Sequence, residues 1–302
     1  MKYLSLRTVA TLAVILGAFL FAGTVSAQVD TVKAKEAYNE GIKASQAGNI
    51  KEAELQYQAA IKFDPNYADA HLNLGAVYFE SKQYELALES FKKAVELNPK
   101  NADALANLGR VDYVLKRYDA AVESFQRAIA LDDKNADLYK ELGKTYYYQN
   151  DYANTIQTLD KYHGLGGSDW QTYYMIGKSY EKTDKEAQAI EAYKSSSTAE
   201  SNYYAPFALG QIYMGQEKFT QAATAFKAAL AADKSKYLAS YNYASAMEYS
   251  DPENYKKNVS IWEDFVRLAK NNPKAKRQVA QAQEHIKQLQ EAVKAMDLQS
   301  NN

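Results

Sequence analysis

Three cations, Arg110, Lys144 and Lys178, stand 34 residues apart, each directly after a glycine. Guanidinium and ammonium groups in such a row can hold carboxylates through charge-assisted hydrogen bonds. Asn73, Asn107, Tyr113, Lys140, Tyr147, Tyr148, Tyr174, Tyr204, Phe207, Gln211, Tyr241 and Asn242 recur at related positions. Their amides can meet an extended backbone, and their rings offer rigid contact area. A plainer reading stands beside this one: a solvated basic edge whose cations pair with helix acids such as Glu141 and Glu181. Covalent and metal chemistry have little to work with. His71, His163 and His285 are scattered and cysteine is absent, so neither metal-ligand spacing nor a nucleophile beside a base is found. The run from Gly164 to Gly167 lacks the strand and the Gly-Lys-Ser/Thr ending of a phosphate loop, so it reads as a turn. Asp132 and Asp133 read as helix capping. No catalytic residue, metal or cofactor is expected.

A ladder of glycines spaces these side chains. Gly41, Gly75, Gly109, Gly143 and Gly177 keep an interval of 34, and Gly210 and Ala244 extend it by 33 and 34. A period of that length signals a stacked helical repeat. Glycine inside a helix costs about 1 kcal/mol relative to alanine, so close packing must offset it at every rung. Leu105, Leu108 and Val111 form one helical stripe, and Leu88, Phe91 and Val95 form another, giving two amphipathic helices per period. Pro65 and Pro99 end second helices because proline lacks the amide hydrogen and clashes with the preceding turn. Asp64 to Asn66 and Asn98 to Asn101 supply turn and capping chemistry.

One period reads His71, Leu74, Gly75, Tyr78, Ala87, Phe91, Ala94 and Pro99; the next reads Leu105, Leu108, Gly109, Ala121, Phe125 and Ala128. This order resembles the tetratricopeptide repeat: an aromatic, Leu-Gly, an aromatic, then Ala, Phe, Ala and Pro. The resemblance implies an all-α, right-handed superhelical solenoid of antiparallel helix pairs, with six to seven units over residues 34–273. His71 then takes a packing position, in the core or half-buried. The face of each first helix opposite its packing stripe would line a concave groove. Asn73, Asn107, Arg110, Tyr113, Lys140, Lys144, Tyr147, Tyr174, Lys178, Phe207, Gln211 and Tyr241 would lie there, with a partner protein or an extended, acidic peptide as occupant. The carboxylate clamp of the family's chaperone-tail binders is not met. Tyr38 and Ile42 stand at its first positions, and Asp103 and Asn107 follow the fitting Asn73. In the fourth unit Thr155, Leu159 and Tyr162 replace the small-aromatic-small trio, and a shortened or bent second helix is expected before Gly164. Asp251 to Asn254 lengthen a turn in the seventh unit.

Beyond Pro273, Val279, Ala282, Ile286, Leu289, Val293 and Met296 make one stripe on a long helix expected over residues 274–297, with residues 298–302 as a disordered tail. A solenoid needs such a cap with a polar outer face. The rival reading is a coiled-coil seam joining two copies as a homodimer. At the other end, Lys2 and Arg7 precede an apolar run from Val9 to Phe21, and Val25, Ser26 and Ala27 supply small residues for cleavage. Residues 1–27 thus read as a secretory signal peptide and 28–33 as a short linker. An uncleaved anchor is the rival, against which the run falls short of the ~20 apolar residues that span a bilayer. Loss of Lys2 and Arg7 takes the formal net charge from −1 to −3, which argues against nucleic acid. Without cysteine, stability must come from packing between repeats. The whole reads as a non-enzymatic interaction scaffold exported to a bacterial periplasm, with no stable membrane insertion. A small-molecule or glycan binder using the aromatic groove is the alternative.

Overall fold

The structure, a computed structural model, describes residues 29–300; the signal-peptide expectation lies outside the described residues, as do residues 301–302. The described residues fall into two compact units that meet between Lys116 and Arg117. Among the described residues every long element is an α-helix.

The first unit holds α1 (Thr31–Gln46), α2 (Ile50–Phe63), α3 (Ala68–Glu80), α4 (Tyr84–Leu97) and α5 (Ala102–Val114). The second holds α6 (Tyr118–Leu131), α7 (Ala136–Tyr148), α8 (Tyr152–Gly164), α9 (Trp170–Lys182), α10 (Glu186–Ala199), α11 (Tyr204–Gly215), α12 (Phe219–Ala232), α13 (Tyr237–Ser250), α14 (Tyr255–Ala269) and α15 (Lys276–Ser300). In each unit successive helices pack on one another, and their short connections make the neighbours antiparallel. Each unit is therefore a solenoid of helix pairs.

The ladder glycines explain the pairing. A Cβ built on Gly75 would sit 2.7 Å from the Phe91 ring, and one on Gly177 would sit 2.5 Å from the Tyr193 ring. Both rings are almost wholly buried. The same contact recurs between Gly41 and Tyr57, Gly143 and Leu159, and Gly210 and Phe226. Glycine thus lets the first helix rest directly on the largest side chain of the second.

A left-handed residue ends first helix after first helix: Gly48, Lys82, Lys116, Asn150, Asp184 and Glu217 all have φ between 56° and 72°. The next amide donates back five residues, as from Gln83 to Tyr78 O at 2.8 Å and from Lys218 to Tyr213 O at 2.9 Å. These are Schellman closures, and most use a residue other than glycine.

Where a shortened or bent second helix is expected in the fourth repeat, α8 runs for 13 residues against 14 in α6 and α10. Thr155, Leu159 and Tyr162 are buried and fill the core positions. The helix gives up one residue to its following turn, which leaves the 34-residue register intact. His163 stabilises that turn: its Nδ1 lies 2.9 Å from Gly167 O, and its ring stacks on Tyr173 at 3.9 Å.

At the C-terminal end a 3-10 turn, Pro273–Ala275, leads into α15. Ala282, Ile286 and Leu289 of α15 are buried with Trp262, Phe265 and Ala269 of α14. The stripe weighed as a dimer seam is spent within the chain as far as Leu289, because the apolar face of α14 needs a cover. The helix itself continues to Ser300, past the end expected at residue 297 and through the first residues of the expected tail.

Candidate functional site

The second unit carries the richer surface. The first helices of its repeats, α7, α9, α11 and α13, present the side chains that do not point at their second-helix partners. Lys140, Lys144 and Tyr147 come from α7, Tyr174 and Lys178 from α9, Phe207 and Gln211 from α11, and Tyr241 from α13. The lysines are half-buried. Gln211 is exposed, while Tyr174, Phe207 and Tyr241 are half-buried.

None of the three lysines faces solvent as a bare charge. Lys144 Nζ is 3.0 Å from Glu141 Oε2 and Lys178 Nζ is 2.9 Å from Glu181 Oε2, both pairs one turn apart on the same helix. Lys140 Nζ reaches Asp169 Oδ2 at 3.1 Å across elements. The plainer reading, cations paired with Glu141 and Glu181, is thus the geometry found. Glu181 also accepts from the Tyr193 hydroxyl. Burial, and then the carboxylate of Glu181, push the Tyr193 hydroxyl far above the usual phenol range.

Asp169 is the node of the fourth and fifth repeats. It caps α9 by accepting from Thr172 N at 3.0 Å, pairs with Lys140, and accepts from the Tyr162 hydroxyl at 2.9 Å. Burial works against the charged form, but the Thr172 amide, Lys140 and Tyr162 together hold its carboxyl below the usual range. Tyr162 moves the other way, pushed up to about 12 by burial and then by Asp169.

The aromatic side chains converge. Trp170 and Tyr204 stack with centroids 5.6 Å apart and planes 6° apart, and Tyr174 lies 5.8 Å from Tyr204. Tyr203 stacks on Phe207 at 5.1 Å, with the Lys236 ammonium 5.4 Å from the Tyr203 ring centre. Trp170 and Tyr203 do not figure in the sequence expectation, although both lie within a few residues of Tyr174 and Phe207. Tyr241 is drawn away: it packs edge-on against Trp262 and Phe265, so it serves the end of the core.

In the first unit Asn73 donates to the Tyr38 hydroxyl at 3.1 Å, and with Ile42, Ser45, Gln46 and Glu80 it borders a small open hollow. Arg110 is exposed and donates to Asn107 Oδ1 at 3.2 Å. Tyr113, half-buried, lies on the same helix. His71 is half-buried with Nε2 3.0 Å from Pro65 O, in line with the sequence reading. Among the described residues no group of three or more His, Cys, Asp or Glu side chains gathers to hold a metal.

Models of the tetratricopeptide repeat match residues 45–82, 68–101, 109–150, 171–203 and 207–248, together more than half of the chain. A crystal structure of MamA protein is 28% identical with a TM-score of 0.53, over 56% of this chain and 92% of that one. The pilF protein of Pseudomonas aeruginosa is 20% identical with a TM-score of 0.55, over 70% of this chain and 96% of that one, a likeness of fold. A probable UDP-N-acetylglucosamine–peptide N-acetylglucosaminyltransferase, SPINDLY of Oryza sativa subsp. japonica, is 42% identical over 53 residues. That segment spans 18% of this chain and 6% of the rice protein.

Proposed function

The chain belongs to the tetratricopeptide-repeat family, whose solenoids serve as protein-interaction scaffolds, and we propose that it is an exported, non-enzymatic scaffold of a bacterial cell envelope. Its partner lies along the first-helix face of the fourth to sixth repeats. One observation carries this reading: Trp170, Tyr174, Tyr203, Tyr204 and Phe207 touch in one chain of rings in which Tyr204 stays exposed, with exposed Gln211 on the same helix, although Tyr174 and Phe207 also rest on the core rings Tyr193 and Phe226. Rings held by their neighbours lose little freedom on binding, which is what makes aromatic side chains effective anchors.

Export rests on Lys2, Arg7, the apolar run from Val9 to Phe21 and the small residues ending at Ala27. No helix among the described residues is long and apolar enough to cross a membrane. The ion pairs of Lys144 and Lys178 weaken the case for a strongly acidic ligand, since its carboxylates must compete with Glu141 and Glu181.

Site-specific photo-crosslinking in cells tests the surface. A crosslinker at Tyr174 or Gln211 should capture a discrete envelope protein, whereas one at Thr158 or Thr224, on second helices, should not. Capture from the second-helix positions alone would place the partner elsewhere and defeat the reading.

A further inference from the structure

The first unit carries a site of its own, in addition to the ring-lined face of the second. The hollow that α1 and α3 border has a volume of about 300 Å³. Ile42, Ala76 and Val77 give it an apolar side, closed by the Tyr57 ring, which is almost wholly buried. Ser45, Gln46, Asn73 and Glu80 give it a polar one.

Charge decides what such a hollow accepts. Glu80 supplies the single formal charge of the lining, and it is exposed. Among the described residues no cation pairs with it, not even Lys82 in the turn that follows α3, whereas Glu40 of α1 is engaged by Lys43. The residues after the ladder glycines are neutral here: Ile42 and Ala76 stand where later repeats have Arg110, Lys144 and Lys178. No built-in cation therefore competes for the carboxylate, as Lys144 and Lys178 do for Glu141 and Glu181 in the second unit. The other polar groups are neutral, and each brings an oxygen that can accept. Asn73 donates through Nδ2 to the Tyr38 hydroxyl at 3.1 Å, so its oxygen is the end left to accept. One and two periods further on, Val114 and Tyr148 replace Glu80, so the arrangement is no general property of the repeat.

A carboxylate beside accepting oxygens and an apolar wall matches a long cationic side chain. Its methylene stem packs on apolar surface while its charged head keeps polar company. An anionic ligand would meet repulsion there and no cation. We infer that the hollow receives a lysine or arginine side chain of a partner protein, with its stem against Ile42 and Val77 and its head at Glu80. Ser45, Gln46 and Asn73 accept from the remaining donors, and the charge-assisted bond to Glu80 supplies most of the selectivity. The acidic occupant expected from the sequence is thereby reversed in sign for the first unit.

Chemical-shift titration of isotope-labelled residues 28–302 at low salt tests this. The probes are glycine tripeptides, blocked at both ends, with a central arginine, lysine, glutamate or norleucine, and free spermidine. An arginine or lysine peptide should shift the amides of Ser45, Gln46, Ala76 and Glu80 saturably, and should bind about five-fold or more tighter than the norleucine peptide. Glu80→Gln should cost about five-fold or more with the rest of the spectrum unchanged. Glu40→Gln removes an equal charge from α1 and should leave affinity within about two-fold. Equal losses in the two variants reduce the effect to net charge and overturn the inference. Equal binding of the norleucine peptide, preference for the glutamate peptide, or no saturable shift with either basic peptide also overturns it. Binding of spermidine with neither basic peptide bound overturns it in favour of a free polyamine. None of these outcomes bears on the face of the second unit, which crosslinking at Tyr174 and Gln211 judges.

Discussion

Gly177 shows how one residue can be at once a poor helix former and a necessary one. Alanine there should gain about 1 kcal/mol of helix propensity. Its methyl would instead stand 2.5 Å from a Tyr193 ring that is buried on all sides. We expect Gly177→Ala, and Gly75→Ala against Phe91, to destabilise by about 1–3 kcal/mol in urea titrations. Asp169 makes the second argument at this scale. Its folded pKa is lowered, so its contribution is complete above the unfolded value of 3.8 and is lost as pH falls through the folded value. Asp169→Asn keeps an acceptor for the Thr172 amide but loses the ion pair with Lys140. It should therefore cost about 1–2 kcal/mol at neutral pH. Thermal melts of the two proteins should stay apart at pH 4 and converge only as pH falls through the lowered folded value, below 3.8. The partners of Lys144 and Lys178 were legible in the sequence, since an acid three residues away on a helix is a neighbour. That of Lys140 was not: Asp169 is far along the chain, and only the packing of the fourth repeat on the fifth unites them.

The helices themselves follow closely from the pattern. Starts at Ala68, Ala102 and Tyr237 fall where the repeat register puts them, because glycine, proline and the apolar stripes recur together. Their ends were less visible. The left-handed residue that closes first helices is hinted at by Gly48, Asn150 and Asp184, types that tolerate φ > 0, but Lys82, Lys116 and Glu217 hide it. Glycine at those sites relieves a steric cost of about 1–2 kcal/mol, set against its greater freedom in the unfolded chain. Lys82→Gly and Glu217→Gly should thus raise stability by up to about 1 kcal/mol in urea titrations, and Gly48→Ala should lower it. Of the shortened or bent helix expected at α8, the structure shows a shortening by one residue. Glycines after residue 163 looked like a broken helix, yet they sit almost entirely in the turn, with Gly166 at φ 90°. Capping is the role of α15. Ile286→Asp would place a charge against Trp262 and Phe265. It should release α13 and α14 locally, read as a red shift of Trp262 emission in a Trp170→Phe background, while helicity elsewhere persists.

In each unit packing fixes one side of the first helices, and the partner surface proposed for the second unit draws on the rest. The side facing the second helices is fixed by glycine and large rings, which is why family and fold were readable from spacing alone. The other side is constrained less, since rings such as Tyr174 and Phe207 touch Tyr193 and Phe226 only at its edge, and its arrangement emerges only when repeats stack. Trp170 and Tyr203 joined the surface in this way, and Tyr241 left it for the capped end. Hydroxyl-radical footprinting of the mature chain, with and without its crosslink-identified partner, tests the central claim most directly because aromatic side chains report on both sides. The account predicts that Trp170, Tyr174 and Tyr204 become protected while Tyr146, Tyr180 and Tyr213 keep their reactivity. Protection of Tyr146, Tyr180 and Tyr213, with Trp170, Tyr174 and Tyr204 unchanged, would contradict it.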